Sequence, residues 1–460
     1  MADGKLRGRV EAALILLPFL VAVLLTKQHP RLYLWSAMAG MGELLCRPHT
    51  MRFNATLYPL LLPIYIAIAN EKGLERGMAM SLGSILPREL LPCMLLLDPL
   101  DDLLPWMYAD AVDLIHAVGK TSLGRSEVHL LAMCLIIGIL MDANSPEKTL
   151  QQGALVAGLL IVGCLSPYLT RYIAIARIPR IKRPHQMAKQ HTRLAVTFYV
   201  GLLLGLVPCY AWVGHCLQSE PIAWMLSYIL VDGRLAILAY WLASLSLAAV
   251  LLPRMDSTIH PLSLDRRRKF FHALVVVMFL PTLQRDPSLA RLALTAALLL
   301  FLFCEMLRMT TLPPIGAQVH AFLAPFTDSR DTQGPVIVSH IFLLLGIALP
   351  LWLDCAPSWR ICTGVVCLGC GDASASVFGG SIGRLRWPQS RKTLEGTLAF
   401  IFAAVLGASV ACSLDPATKT VPFAGITGVA TIAGALEAFS GMNDNVVVPV
   451  YVWCMTKVFI

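Results

Sequence analysis

The segment "GDASASVFGGSIGRLRWPQSRKTLEG", residues 371–396, joins one carboxylate to a string of cations across a row of very small side chains. Asp372 follows Gly371 and precedes Ala373, Ser374, Ala375 and Ser376, with Gly379, Gly380 and Gly383 beyond. An aspartate inside an apolar run is costly and therefore functional by default, while a face of small residues lets another backbone or a ligand approach closely. If the helix breaks at "GCGD", the half-helix that follows presents free N–H groups, an arrangement that favours phosphate. Asp372 itself repels an anion. A bound Mg²⁺ resolves the conflict, because a carboxylate together with phosphate oxygens is a common way of holding this ion. The same residues also read as tight helix packing around a buried Asp paired with a basic residue.

Arg384, Arg386, Arg391 and Lys392 come next, and Glu395, Gly396 and Thr397 lead into the following apolar run. Arginine presents a forked donor to phosphate and lysine a mobile point charge, so an acid followed by such a loop has the makings of a triphosphate site. The remaining ionisable residues within or beside apolar runs are few: Asp232, Arg234, His272, Glu305, Arg308, Glu437 and Asp444. Asp232 and Arg234 flank Gly233 and predict a turn that divides a long apolar run into a hairpin. Glu305 and Arg308, three apart, share a helical face and can pair with each other.

Several look-alikes carry no chemistry. "VGKTS" at 118–122 lacks the first glycine of a phosphate loop, since Leu114 stands there. "GGSIG" at 379–383 lies in a helical apolar run and not at a strand-to-helix elbow, which argues against a Ser381 nucleophile. Cys367 and Cys370 form a CxxC without a second ligand pair, and the thirteen cysteines read as reduced core residues.

The elements that must position these groups are membrane helices. The chain has 460 residues, of which 57% are hydrophobic and 14% charged, with a mean hydropathy of +0.69; a soluble domain would carry about a quarter charged residues. Apolar runs recur from 11–26 to 445–460 and predict an all-α polytopic membrane protein of roughly 13–16 transmembrane helices. The short runs at 128–141, 270–284 and 445–460 are candidates for re-entrant or buried elements. The basic N-terminus with its apolar run is expected to be a first span that doubles as a signal. We divide the chain into an N-terminal transmembrane region, 1–253, and a C-terminal region, 254–460, that carries the chemistry. The basic segments 171–193, 266–269 and 384–392 should face the cytoplasm. The intervening span counts put all three on one side, with the polar segments 321–334 and 437–445.

With these residues in view, the C-terminal part resembles the dolichol kinases, endoplasmic-reticulum enzymes that phosphorylate dolichol from CTP. The segments that carry the resemblance are "RKFFHALVVVMFLP", "GPVIVSHIFLLLGIALPLWL", "GDASASVFGGSIGRLRWPQSRKTLEGT" and "LEAFSGMNDNVVVPV", in that order between residues 266 and 460. The wider group of CTP-dependent lipid alcohol kinases shares the Gly-Asp start and the Lys-Thr-x-Glu-Gly ending, whereas "RWP" and the later "DN…P" point to the dolichol branch. The resemblance implies that "RWPQSRKTLEGT" binds CTP, which brings Arg386, Ser390, Lys392, Thr393, Glu395, Gly396 and Thr397 to the nucleotide. Arg384 stands where the family is expected to have an acid.

On this resemblance, Asp372 and Asp444 are expected to hold Mg²⁺ or another divalent cation. Lys392, Lys269, Arg268, Arg386 and Arg267 are candidates for the triphosphate, and Glu395 for orienting Lys392 or acting on the metal. His272 is a candidate proton acceptor, beside a metal-held carboxylate or phosphate-assisted transfer. The implied partners are dolichol, CTP and the lipid bilayer, with no nucleic acid and a homodimer left open. The implied place is the endoplasmic reticulum membrane, multi-pass, with the site facing the cytosol. Rival readings are a phytol or diacylglycerol kinase using CTP, a membrane cytidylyltransferase, and a secondary transporter.

Overall fold

The computed structural model describes residues 10–11, 13–14, 103–119, 122–140, 145–159, 162, 185–255, 264–323, 336–354, 358–388, 390–414 and 421–460. Almost all of the apolar sequence expected to span ahead of residue 100, and the greater part of the basic segment 171–193 and of the polar segment 321–334, lie outside these residues.

The described chain is helical: α1 (Leu103–Gly119), α2 (Arg125–Leu140), α3 (146–159), α4 (His185–Leu217), α5 (Pro221–Leu230), α6 (Arg234–Met255), α7 (Leu264–Arg285), α8 (Pro287–Thr310), α9 (Gly316–Leu323), α10 (Ser339–Leu353), α11 (Trp359–Ser381), α12 (Leu394–Leu414), α13 (Phe423–Phe439) and α14 (Asp444–Phe459). Among the described residues, five helical stretches are long and apolar enough to cross a membrane: Ala195–Leu217, Arg234–Leu251, Pro287–Met309, Trp359–Ser381 and Leu394–Leu414. The protein is an all-α polytopic membrane protein.

Local signals explain the helix boundaries. Asp286 caps α8 by accepting from the Leu289 N–H at 2.9 Å, ahead of Pro287 in the first turn, where a missing N–H costs nothing. Asn443 caps α14 in the same way, its side-chain oxygen accepting from the Asn445 N–H. The expected turn at Asp232–Gly233 is present. Both residues take positive φ, 59° and 69°, and the Arg234 guanidinium closes the turn by donating to Asp286 at 2.7 Å while lying over the Tyr228 ring. Glu305 and Arg308 also pair as expected, at 2.6 Å, and Glu305 accepts the Ile337 N–H as well, fixing the entry to α10.

Helix α11 stands at the centre of the site-bearing bundle. The helix does not break at "GCGD": it widens into a π-turn over Val366–Asp372 and continues through Ala373–Ser381. The Ala373 N–H is bonded to the carbonyls of Cys370 and Leu368, so the free N–H groups of a half-helix do not form at this point. The helix is closely packed on its neighbours. A side chain on Gly364 would lie 2.3 Å from the Gly346 carbonyl, and one on Gly346 only 1.9 Å from the Asn445 carbonyl. Helices α10, α11 and α14 thus meet backbone to backbone, with Phe342, Phe400 and Trp453 buried around them.

Candidate active site

Three helices bring three carboxylates together. Asp372 comes from the π-turn of α11, Glu437 from the last turn of α13 and Asp444 from the first residue of α14. One carboxylate oxygen from each lies within 4.8 Å of the others. A π-turn inserts an extra residue into the helical ladder and often marks a functional position; here it carries Asp372 where α7, α13 and α14 converge.

Cations close the cluster from two sides. Lys269, near the start of α7, places Nζ 2.6 Å from Asp372 Oδ2, and His272 places Nδ1 3.1 Å from the same oxygen. Their three-residue spacing puts both on one face of α7. Lys392, in the loop before α12, donates to Asp444 at 2.7 Å and to Glu437. Burial works against the Lys392 ammonium, but Asp444 and Glu437 outweigh it and hold its pKa above the ordinary lysine value.

These groups line one polar cavity of about 680 Å³, a size usual for small-molecule sites. Its wall includes Arg268, Arg391, Thr393, Gly396 and Thr397 as well as the charged cluster, and Ser376, Gly380, Asn443 and Asn445. The small-residue face of 371–383 divides its work. Gly371 packs on Phe400, and Gly379 and Gly383 on Thr393, with no room for a side chain at 383, whereas Gly380 has nothing within 4 Å of an added Cβ and opens on the cavity. Close packing thus accounts for that face at Gly371, Gly379 and Gly383, whereas Gly380 borders open cavity space.

The loop between α11 and α12 folds on itself. Arg386 and Thr393 form an antiparallel bridge, the Trp387 N–H donates to the Lys392 carbonyl, and the Leu394 N–H to the Leu385 carbonyl. Glu395 accepts the backbone N–H groups of Arg384 (2.9 Å) and Leu385, and so braces this hairpin; Lys392 is oriented instead by Glu437 and Asp444. Ser390 donates to the Ala438 carbonyl at 3.0 Å, and the Trp387 indole donates to Thr397 Oγ1 while its ring tilts against Phe439. The loop is thereby pinned to the end of α13 that carries Glu437.

Of the residues singled out in the sequence, Asp372, Lys392, Asp444, Lys269, Arg268, Thr393, Gly396 and Thr397 meet at the cavity. Arg386 is exposed, and Arg386, Ser390 and Glu395 lie in the fabric of the loop. His272 is only 1% exposed and sits behind Asp372, away from the cavity wall. The side chain of Arg267 lies outside the described residues. Glu437 is the member that sequence reasoning left unassigned; the available signal was its cost at the end of an apolar run.

The donor set suits a divalent cation. Three carboxylates supply hard oxygen ligands of the kind Mg²⁺ takes. Two ammonium groups in direct contact face three carboxylates, and a buried cluster of like charge calls for further positive charge.

Residues 186–349 match the family model described as "Dolichol kinase". "Dolichol kinase sec59" of Schizosaccharomyces pombe is 35% identical over 284 residues, 57% of this chain and 55% of that protein. "Dolichol kinase" of Homo sapiens is 33% identical over 273 residues, 54% and 49% respectively, and "Dolichol kinase EVAN" of Arabidopsis thaliana 31% over 321 residues, 66% and 55%. The chain thus spans about half the length of the curated relatives it matches. No solved structure matches it. Over more than half of its own length, then, this membrane chain is similar to the dolichol kinases.

Proposed function

We propose that this protein is a CTP-dependent dolichol kinase of the endoplasmic reticulum membrane. It transfers the γ-phosphoryl group of CTP to the hydroxyl of dolichol, giving dolichyl phosphate and CDP. Region 254–460 is the catalytic region, with the loop around 384–397 facing the cytosol as part of the nucleotide site. The observation that carries this reading is the convergence of Asp372, Glu437 and Asp444 with Lys269 and Lys392 on one polar cavity. The similarity to proteins named dolichol kinase supplies the acceptor.

Phosphoryl transfer asks a protein mainly for in-line positioning and neutralisation of charge. Asp372, Glu437 and Asp444 would hold Mg²⁺, which when bound would neutralise charge on the phosphates. Lys269, Arg268, Arg391 and Lys392 line the same cavity and hold the triphosphate. Lys392, only a third exposed, exchanges a carboxylate partner for a phosphate oxygen when the nucleotide arrives. The dolichol oxygen forms the new P–O bond as the bond between the γ-phosphorus and the β,γ-bridging oxygen breaks and CDP leaves. The hydroxyl proton passes to a carboxylate of the cluster. His272, buried against Asp372, orients that carboxylate.

The test is a reaction of the purified full chain in detergent with γ-labelled CTP, Mg²⁺ and dolichol, with ATP as an alternative donor and phytol and diacylglycerol as alternative acceptors. Label in dolichyl phosphate with release of CDP is the expected result. Pyrophosphate release would identify a cytidylyltransferase, label in another lipid would reassign the acceptor, and no transfer to any acceptor by folded protein would overturn the kinase reading.

A further inference from the structure

The backbone between Glu437 and Asp444 carries two of the three clustered carboxylates, and its N–H groups are all accounted for. Ser440 donates to the Leu436 carbonyl and Met442 to Ser440 Oγ. The Gly441 N–H donates to Glu11 at 3.2 Å, and the Asn443 N–H to Glu127 Oε1 at 2.8 Å. Glu127 belongs to the first turn of α2, and its other oxygen accepts the Gly124 N–H, also at 2.8 Å. One carboxylate therefore ties the start of α2 to the residue immediately before Asp444, across 316 residues of sequence.

We infer that Glu127 is a positioning residue for the candidate metal cluster, acting through the Asn443 backbone to set where Asp444 meets Asp372 and Glu437. The inference rests on the metal reading of that cluster. Its physical basis is the geometry of α14. Asn443 is the N-cap and Asp444 the first helical residue, so the direction of the Asp444 side chain follows from how the chain enters the helix. A charge-assisted bond to the cap's own N–H fixes that entry more firmly than a neutral partner does. Glu127 lies outside the segment matched by the family model, and it makes the N-terminal part of the chain a contributor to the site.

The expected effect has the size of a lost outer contact at a metal site, about 10–100-fold in metal affinity or activity. The test measures Mn²⁺ binding to the full chain in detergent, without nucleotide or lipid, by electron paramagnetic resonance. It compares the unmutated protein with Glu127→Gln and Glu127→Ala. The glutamine keeps one acceptor oxygen and can serve only one of the two N–H groups, so the affinity order is expected to be Glu, then Gln, then Ala. The Mn²⁺ concentration for half-maximal turnover should rise by the same factors, while KM for the lipid alcohol stays within error and any fall in melting temperature is no more than the lost hydrogen bonds account for.

Should the alanine variant not fold, the volume-conserving glutamine variant carries the comparison. Unchanged Mn²⁺ affinity in a folded Gln variant overturns the inference, as does a loss in which metal affinity, lipid KM and melting temperature all move together. Absence of Mn²⁺ binding to the unmutated chain overturns the metal reading itself, a result distinct from binding that Glu127 does not influence.

Discussion

Lys392 reaches from the loop ahead of α12 to Asp444 at the head of α14, with 2.7 Å between Nζ and Oδ2, and contacts Glu437 in the same grasp. An ammonium thus occupies the carboxylate oxygens that a divalent cation would use. Replacing it with an uncharged chain of similar length should leave Glu437 and Asp444 repelling each other until a metal arrives. Lys392→Met is expected to lower turnover by about 10²–10³-fold, the usual cost of one preorganised charge donor. Its melting temperature should rise more on adding Mg²⁺ than that of the unmutated protein; equal shifts would place Lys392 outside the metal's reach.

Asp372 is the carboxylate against which both Lys269 and His272 are set. Asp372→Asn keeps the shape but gives up the charge, and we expect turnover to fall by at least about 10²–10³-fold with membrane insertion intact. Near-normal turnover in a correctly inserted variant would remove Asp372 from the site.

Glu437 makes a sharper case, because sequence reasoning left it without a role. Glu437→Gln should reduce turnover and raise the Mg²⁺ requirement together, by about 10–100-fold, with CTP binding in the absence of metal nearly unchanged. Loss of metal-free nucleotide binding would instead show that Glu437 acts only by holding Lys392.

Arg234 serves as the counterexample, a charged pair with no path to the cavity. Arg234→Met removes its bonds to Asp286 and to the Tyr228 carbonyl and should cost about 1–3 kcal/mol of stability. Turnover per folded molecule is expected to be unaffected; a selective loss of turnover would contradict the structural role of this turn.

Gly346 and Gly380 offer a contrast between two glycines. A methyl group at 346 would lie 1.9 Å from the Asn445 carbonyl and must push the start of α14, whereas one at 380 meets nothing within 4 Å. Gly346→Ala should therefore lower both the melting temperature and turnover. Gly380→Ala should keep the melting temperature and raise KM for nucleotide, since it fills cavity space alone. Equal melting temperatures for the two variants would contradict the close approach at 346.

Much of the site was legible because its members are expensive. Asp372 stands out from apolar surroundings and Lys392 belongs to the string of cations that follows it, while Asp444 and Lys269 received their roles through the resemblance. The turn at Asp232–Gly233 was legible from local chemistry, since Gly233 tolerates positive φ at no steric cost.

What was not legible depends on partners distant in sequence. The close approach of α10, α11 and α14 at Gly346 and Gly364 joins residues far apart in sequence, which no local pattern encodes. The resemblance brought Arg386, Ser390 and Glu395 to the nucleotide, yet hairpin pairing and the end of α13 take up the loop's local hydrogen bonds. Glu437 gains its role only when Lys392 arrives from 45 residues away.

The continuity of α11 through its π-turn fixes how far Asp372 lies from the end of the helix. Asp372 precedes a further nine helical residues, Ala373–Ser381, which at 1.5 Å each set it about 14 Å along the axis from the end of the helix. If Asp372 acts in phosphoryl transfer as proposed, the nucleotide would have to pass alongside these nine residues to reach it. In that proposed reaction the polar cavity would work as a well, in which the donor reaches down to the clustered carboxylates and the lipid alcohol meets it there.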